Sequence, residues 1–232
     1  MKKVLIVVLI CFIFASTLYA ESGFEGRPIT DNVWVPTGYT LHKGEFIVGI
    51  GPIGVGITDN VQVGTNILLW LFQIYNANLK VNVMQSSSMA FAVGLDYTRF
   101  NLSSLFSDDD ETDFNVISPF VSLSTKMGTN TDVHFAGRYS YISSDEDIDE
   151  FESGSSTSGT TVLAGIEHSM SHKTKLLLDV GYDFTFEGLR IGGGVLFGWT
   201  KFRLKLGVGY YGPKDSDAFT IPVIGLWWRF KG

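Results

Sequence analysis

Three groups of residues in this chain have the types and spacing to do chemistry. Glu167-His168-Ser169, with His172 close by, supplies an acid, a base and a nucleophile. Brought together, they could hydrolyse an acyl bond, the serine attacking while the histidine takes its proton. A second group is acidic: Asp108, Asp109, Asp110, Glu111 and Asp113, then Asp145, Glu146, Asp147, Asp149, Glu150 and Glu152, which make up eleven of the 24 acidic residues. Carboxylates at that density either solvate surface loops or hold divalent cations. Asp145, Asp147 and Asp149 begin like a calcium loop, but Glu150 stands where its glycine belongs and Ser156 where its closing glutamate belongs, so an EF-hand is rejected. The third group is spread singly: Lys80, Asp96, His134, Arg138, Glu167, Lys175, Asp179, Asp183, Arg190, Arg203 and Lys205. What these can do depends on the elements that carry them.

Those elements read as strands. Side chains alternate across a strand, so a wall between lipid and water alternates apolar with polar residues. From Thr174 to Phe186, Leu176, Leu178, Val180, Tyr182, Phe184 and Phe186 share one face, opposite Lys175, Asp179, Gly181, Asp183 and Thr185. Phe202, Leu204, Leu206, Val208 and Tyr210 likewise oppose Lys201, Arg203, Lys205, Gly207 and Gly209. Met89, Phe91, Val93, Leu95 and Tyr97 oppose Ala90, Ala92, Gly94, Asp96 and Thr98, and Val133, Phe135, Tyr139 and Tyr141 oppose Asp132, His134, Ala136, Arg138 and Ser140. Strands of soluble sandwiches are commonly shorter, about five to six residues.

Turn-forming residues divide the chain into strands near 33–41, 45–57, 61–68, 75–84, 89–103, 114–126, 131–143, 160–170, 174–186, 189–199, 201–211 and 218–230. The expected count is therefore twelve. Pro36 and Gly38 suit an edge or a plug better than a strand interior, which makes ten the rival count. Phase changes at Gly51-Pro52 and around Pro222 are read as bulges. Short connections at 58–60, 85–88, 127–130, 171–173 and 200 alternate with others that include both acidic segments. The expected fold is an all-β, antiparallel transmembrane β-barrel over residues 21–232, with the short turns periplasmic and the acidic loops extracellular.

Residues 1–20 carry Lys2 and Lys3, an apolar run and then small and polar residues up to Ala20, the order of a cleaved signal peptide. Cys11, the only cysteine, lies in that run, so the mature chain is expected to hold no disulfide and to draw its stability from a closed sheet, a large core or a membrane. Bulky Ile10 argues against lipidation at Cys11. Loss of the leader, with its two lysines, takes the net charge from −7 to −9, against a nucleic-acid partner. No run of about 18 apolar residues follows Ala20, so spanning helices are not expected.

The closing residues Ile224, Leu226, Trp228 and Phe230 alternate with Gly225, Trp227 and Arg229. This resembles the C-terminal signal strand of bacterial outer-membrane barrels, which the barrel-assembly machinery recognises, although here Lys231 and Gly232 follow the aromatic residue. A second block, Thr37-Gly38-Tyr39-Thr40-Leu41 with Lys43-Gly44-Glu45 and then residues 56–66, is similar to the amino-terminal part of uncharacterised outer-membrane barrel proteins. The resemblance implies a compartment, a fold and an assembly partner, and no activity.

In a barrel, the phase of the alternation turns the third group toward the lumen, together with Asn78, Asn82 and Arg229. There the charges either pair across a narrow interior or line a channel that selects solutes. Neighbours on a strand point to opposite faces, so His168 and Ser169 are not expected to meet as base and nucleophile. Aromatic residues gather toward strand ends, Tyr97, Tyr139, Tyr141 and Tyr210 at one and Trp199, Phe202, Trp228 and Phe230 at the other, as interfacial girdles do. The expectation is a non-enzymatic outer-membrane barrel, either a narrow channel for small polar solutes or a structural surface barrel. Its expected partners are membrane lipid and lipopolysaccharide, with divalent cations at the acidic loops, and no cofactor or defined metal site. A membrane-embedded lipid-modifying enzyme and a soluble periplasmic β-sandwich are the alternatives.

Overall fold

Alternation of this kind closes a sheet when its first and last strands can pair, and here they do. The computed structural model describes residues 24, 28–101, 113–144, 156–214 and 217–231; the leader, the acidic residues 108–111 and 145–150, and Glu152 lie outside the described residues. The strands are β1 (Phe46–Ile50), β2 (Pro52–Thr58), β3 (Val61–Asn66), β4 (Tyr75–Gln85), β5 (Met89–Asn101) and β6 (Asp113–Lys126). They continue as β7 (Thr131–Ser144), β8 (Ser156–Ser171), β9 (Thr174–Asp183), β10 (Gly188–Gly198), β11 (Phe202–Gly212) and β12 (Phe219–Phe230), and one helical turn, α1 (Ile67–Trp70), follows β3. Each strand pairs antiparallel with the next, and β1 against β12 closes the barrel, Phe46 opposite Phe230 and Ile50 opposite Leu226.

The two faces invert the polarity of a soluble protein. Leu95, Val121, Phe135, Leu178, Val180, Leu206 and Val208 are exposed on the outside, whereas Lys80, His134, Glu167, Asp179 and Arg203 are buried inside. Only a hydrocarbon surround makes an apolar belt of this extent favourable, so the fold is that of a transmembrane barrel. Register shifts occur between Gly56 and Thr58, Asn82 and Met84, and Ser169 and Ser171, all beside the short connections. Those connections share one end of the barrel with the start of β1 and the end of β12.

Twelve strands form, but not the twelve that the turn residues marked. Residues 33–41 are not a strand of the wall: among them only Pro36 makes a bridge, to Asp31. The count is restored because 45–57 is two strands. Gly51 has φ +115°, a left-handed conformation that a side chain would strain, and there the chain reverses so that Val48 pairs with Ile53. The expected bulge at Gly51-Pro52 is thus a hairpin turn. Pro222 is no bulge either, since β12 keeps unbroken register with β11 through the Pro222–Val208 pair.

Wall height is uneven. β6 has 14 residues and β1 only 5. At about 3.3 Å per residue and a tilt of about 40°, they rise about 35 and 13 Å against an apolar band about 25 Å tall. Above β3 a side chain substitutes for the missing ladder: Asn76 Oδ1 accepts from Asn66 N at 2.7 Å and Asn76 Nδ2 donates to Asn66 O at 3.0 Å. Asn76→Ala leaves both groups without that partner. Its urea midpoint in lipid vesicles is expected to fall by the equivalent of about 1–3 kcal/mol, and an unchanged midpoint would show that water replaces the carboxamide at no cost.

Candidate functional site

The lumen is occupied by the chain itself. Residues 28–44 run in from the short-turn end, reverse at Asn32–Val35 and return to β1. The reversal is held by Asn32 N donating to Val35 O at 2.9 Å and Thr37 N donating to Thr30 O at 3.1 Å. At the mouth, Phe24 N donates to His172 O and Lys43 N to Asp59 Oδ1, each at 3.1 Å, which ties the segment to two of the short turns. Val35, Thr37, Tyr39 and Leu41, whose spacing imitates a strand, are buried inside the barrel.

A segment so placed has no strand beside it, yet its backbone groups need partners. Lumen side chains supply them. Asp179 Oδ2 accepts from the backbone N–H groups of Trp34 and, at 3.2 Å, Val35. Gly38 N donates to Ser124 Oγ at 2.8 Å, while Gly38 O accepts from Asn82 Nδ2 at 2.6 Å. Ser122 Oγ donates to Thr37 O, and Leu41 N donates to Gln62 Oε1, both at 3.0 Å. Lys80 Nζ donates to Thr30 O at 2.5 Å, Lys205 Nζ to Asn32 O at 2.6 Å and Arg229 Nη1 to Pro28 O at 3.2 Å. Room for the hairpin comes from small inward residues such as Ala90, Ala92 and Ala136. At Gly209 the fit is close, for a Cβ there would lie 2.3 Å from Trp34 Cζ2.

The remaining inward charges pair. Arg138 Nη2 lies 2.6 Å from Asp96 Oδ2 and Arg190 Nη2 lies 2.7 Å from Asp183 Oδ2. Glu167 binds Lys175, and Arg229 Nε lies 2.7 Å from Glu45 Oε1. Phe24 has the Lys175 ammonium 4.8 Å and the Arg203 guanidinium 5.0 Å from its ring centroid. On the hairpin, the surrounding barrel wall raises the Asp31 carboxyl by desolvation, but the Lys80 and Lys205 ammonium groups outweigh it and hold the pKa below the usual aspartate value, although the side chain is exposed to the lumen cavity. Burial pushes the Tyr39 hydroxyl pKa up, reinforced by the negative charges of Asp132 and Glu167.

Glu167, His168 and Ser169 do not come together. Glu167 points inward and is buried, whereas His168 is exposed, its Nδ1 2.9 Å from Thr131 Oγ1. A different serine, histidine and acid do line up: Ser124 Oγ is 2.7 Å from His134 Nδ1, and His134 Nε2 is 3.6 Å from Glu167 Oε2. Ser124 and His134 are 0% exposed and the serine oxygen accepts the Gly38 N–H, so with the hairpin in place no substrate reaches them. The acidic residues 108–111 and 145–150, candidates for divalent cations, lie outside the described residues.

The segment-anchoring residues Gln62, Ser122 and Ser124 escaped the sequence reading, as did the tip Asn32–Val35. A signal for them existed. Ser118, Ser122 and Ser124 share the inward phase of β6 with Phe120, and Ala90, Ala92 and Gly94 that of β5, leaving an interior too sparsely filled by the wall alone.

Fold, inverted polarity and occupied lumen define a plugged transmembrane β-barrel. No protein-family profile matches the chain, and no curated protein does. Among solved structures it is similar to the KdgM porin, with a TM-score of 0.52 over 81% of this chain and 97% of that one, at 10% identity. At that identity the likeness is one of fold, a closed antiparallel β-barrel.

If Asp179 holds the hairpin tip, Asp179→Ala should speed hydrogen exchange at the Trp34 and Val35 amides at least about tenfold, the equivalent of ~1.4 kcal/mol. Asp179→Asn, which keeps an acceptor oxygen, should retain most of the protection. Equal exchange in all three proteins would mean that the tip is held by other contacts.

Proposed function

We propose that the protein is a non-enzymatic barrel of the bacterial outer membrane that is held closed by its inserted hairpin and passes small polar solutes only while the hairpin is displaced. One observation carries this reading: the hairpin is bound by lumen side chains rather than woven into the wall, and each of those groups can exchange its bond for one to water. Ten or more residues would leave the lumen without breaking a single strand pair.

Further support comes from the space beyond the hairpin. A cavity of about 340 Å³ borders Asp31, Lys80, Asp96 and Arg138, and a second of about 380 Å³, sharing Asp96 and Arg138, continues past Ser118, Thr161 and Arg190. The route mixes apolar with polar walls and carries both signs of charge along its length, as a path for small polar solutes requires. The likeness to a porin agrees with it. The export signal and the closing strand favour the outer membrane, where the belt would meet lipid and lipopolysaccharide and the assembly machinery would read Ile224, Leu226, Trp228 and Phe230.

A covalent lock tests the gate. A Cβ at Gly192 would stand 3.0 Å from Val33 Cβ, a few tenths of an ångström of relaxation from the disulfide range of about 3.5–4.5 Å. Val33→Cys with Gly192→Cys is expected to conduct in planar bilayers when reduced and to fall silent when oxidised. Equal conductance in both states would show that solutes bypass the hairpin. Silence in both states would assign the barrel a purely structural role.

A further inference from the structure

The barrel wall is breached at one corner. β12 pairs with β11 from Phe219 to Trp228, but with β1 only from Leu226 to Phe230. Among the described residues, the backbone edge from Phe219 to Gly225 therefore has no strand on its second side. Across the breach β3 stops at Asn66, and only with Tyr75 does a strand resume. An open strand edge cannot face hydrocarbon, because its N–H and C=O groups would go unsatisfied; within a membrane it must border protein or a water-filled space.

Side-chain phases bring the two sides of the wall close together at the breach. Ile224 points outward and is 59% exposed, and Thr65 shares the outward phase of its partner Ile53, yet both border the lumen cavity. Conversely, Ile47 and Asn78 have the inward phase, yet both border a groove of about 630 Å³ on the outer face between β1 and β5. That groove is otherwise apolar, built from side chains such as Val48, Val63 and Leu79. Ile47, Thr65 and Asn78 border both spaces, so a single layer of residues separates them at this corner.

We infer that this corner is a lateral portal through which the hydrocarbon chain of a fatty acid-like, single-chain amphiphile extends from the outer groove into the lumen cavity, where its carboxylate head is held. The apolar groove suits the chain, and the basic groups that border the cavity, Lys80, Arg138 and Lys205 among them, suit the head. Arg138 is the natural partner for that head: its Nη2 is taken by Asp96, while its buried Nε has no hydrogen-bond partner. A carboxylate can accept from that free donor. The portal rests on the reading of the chain as a membrane barrel, but it does not require the hairpin to move.

The test uses the full barrel in phosphatidylcholine vesicles, irradiated with palmitic acid that carries a mid-chain diazirine and mapped by mass spectrometry. Label is expected on inward-phase residues that border the lumen cavity and not the groove, Val223 and Gly225, as well as on the outer belt. Ala77→Trp fills the groove from the exposed, lipid-facing side of β4, and it is expected to abolish the inner label while the belt label on β9 persists. Belt label alone in the wild type, or inner label indifferent to Ala77→Trp, overturns the portal. Loss of the belt label as well would sink the membrane reading, and the portal with it.

Discussion

A backbone buried away from both water and a neighbouring strand is the constraint on which this structure turns. Each N–H and C=O group that the hairpin carries into the lumen would be costly unless it were bonded. The wall answers with side chains: Asp179, Ser124, Asn82, Gln62, Lys80 and Lys205 each bond a backbone group of the hairpin. Small residues line the wall where the hairpin lies against it, and the paired charges fill what space is left. Charged and polar lumen residues that could pass for a solute path in an empty barrel are, here, in large part the binding site for the protein's own chain.

The lumen consequently has two halves. At the short-turn end, Glu167, Lys175, His134 and Ser124 lie beneath or beside the hairpin and are closed off from solvent. Farther along, the Asp96–Arg138 pair and Arg190, which is bound to Asp183, border the second cavity. Uneven wall height adds a direction to this arrangement, since the tall strands β5 to β8 shield one side of the lumen while β1 to β3 leave the opposite corner low. Such asymmetry is what a barrel needs if its interior is to communicate with lipid as well as with water.

Much of the fold was legible because period two survives any rearrangement of loops. The long runs around Val93, Phe135, Val180 and Leu206 are outward-facing strands as they read. Val33 to Leu41 misled for a physical reason: a segment buried among wall side chains alternates much as a strand between lipid and lumen does, and only Pro36 and Gly38 marked the difference. Gly51 was ambiguous because one glycine serves a bulge or a reversal equally well, and pairing with β12 decided it. Local spacing also placed Glu167 with its neighbours His168 and Ser169. The sheet register instead brings it to His134, 33 positions away in sequence, and no local pattern could disclose that contact.

The central claim is that the hairpin occupies the lumen of the folded barrel. Proton–proton NOEs in detergent micelles address it directly, because Val33 and Trp34 meet Gly192 and Gly209 at van der Waals distance. The account predicts strong cross-peaks between the Val33 methyls or the Trp34 indole and the Gly192 and Gly209 protons. Random-coil shifts for residues 28–44, with no cross-peak to either glycine while the β9–β11 ladder is intact, would contradict it.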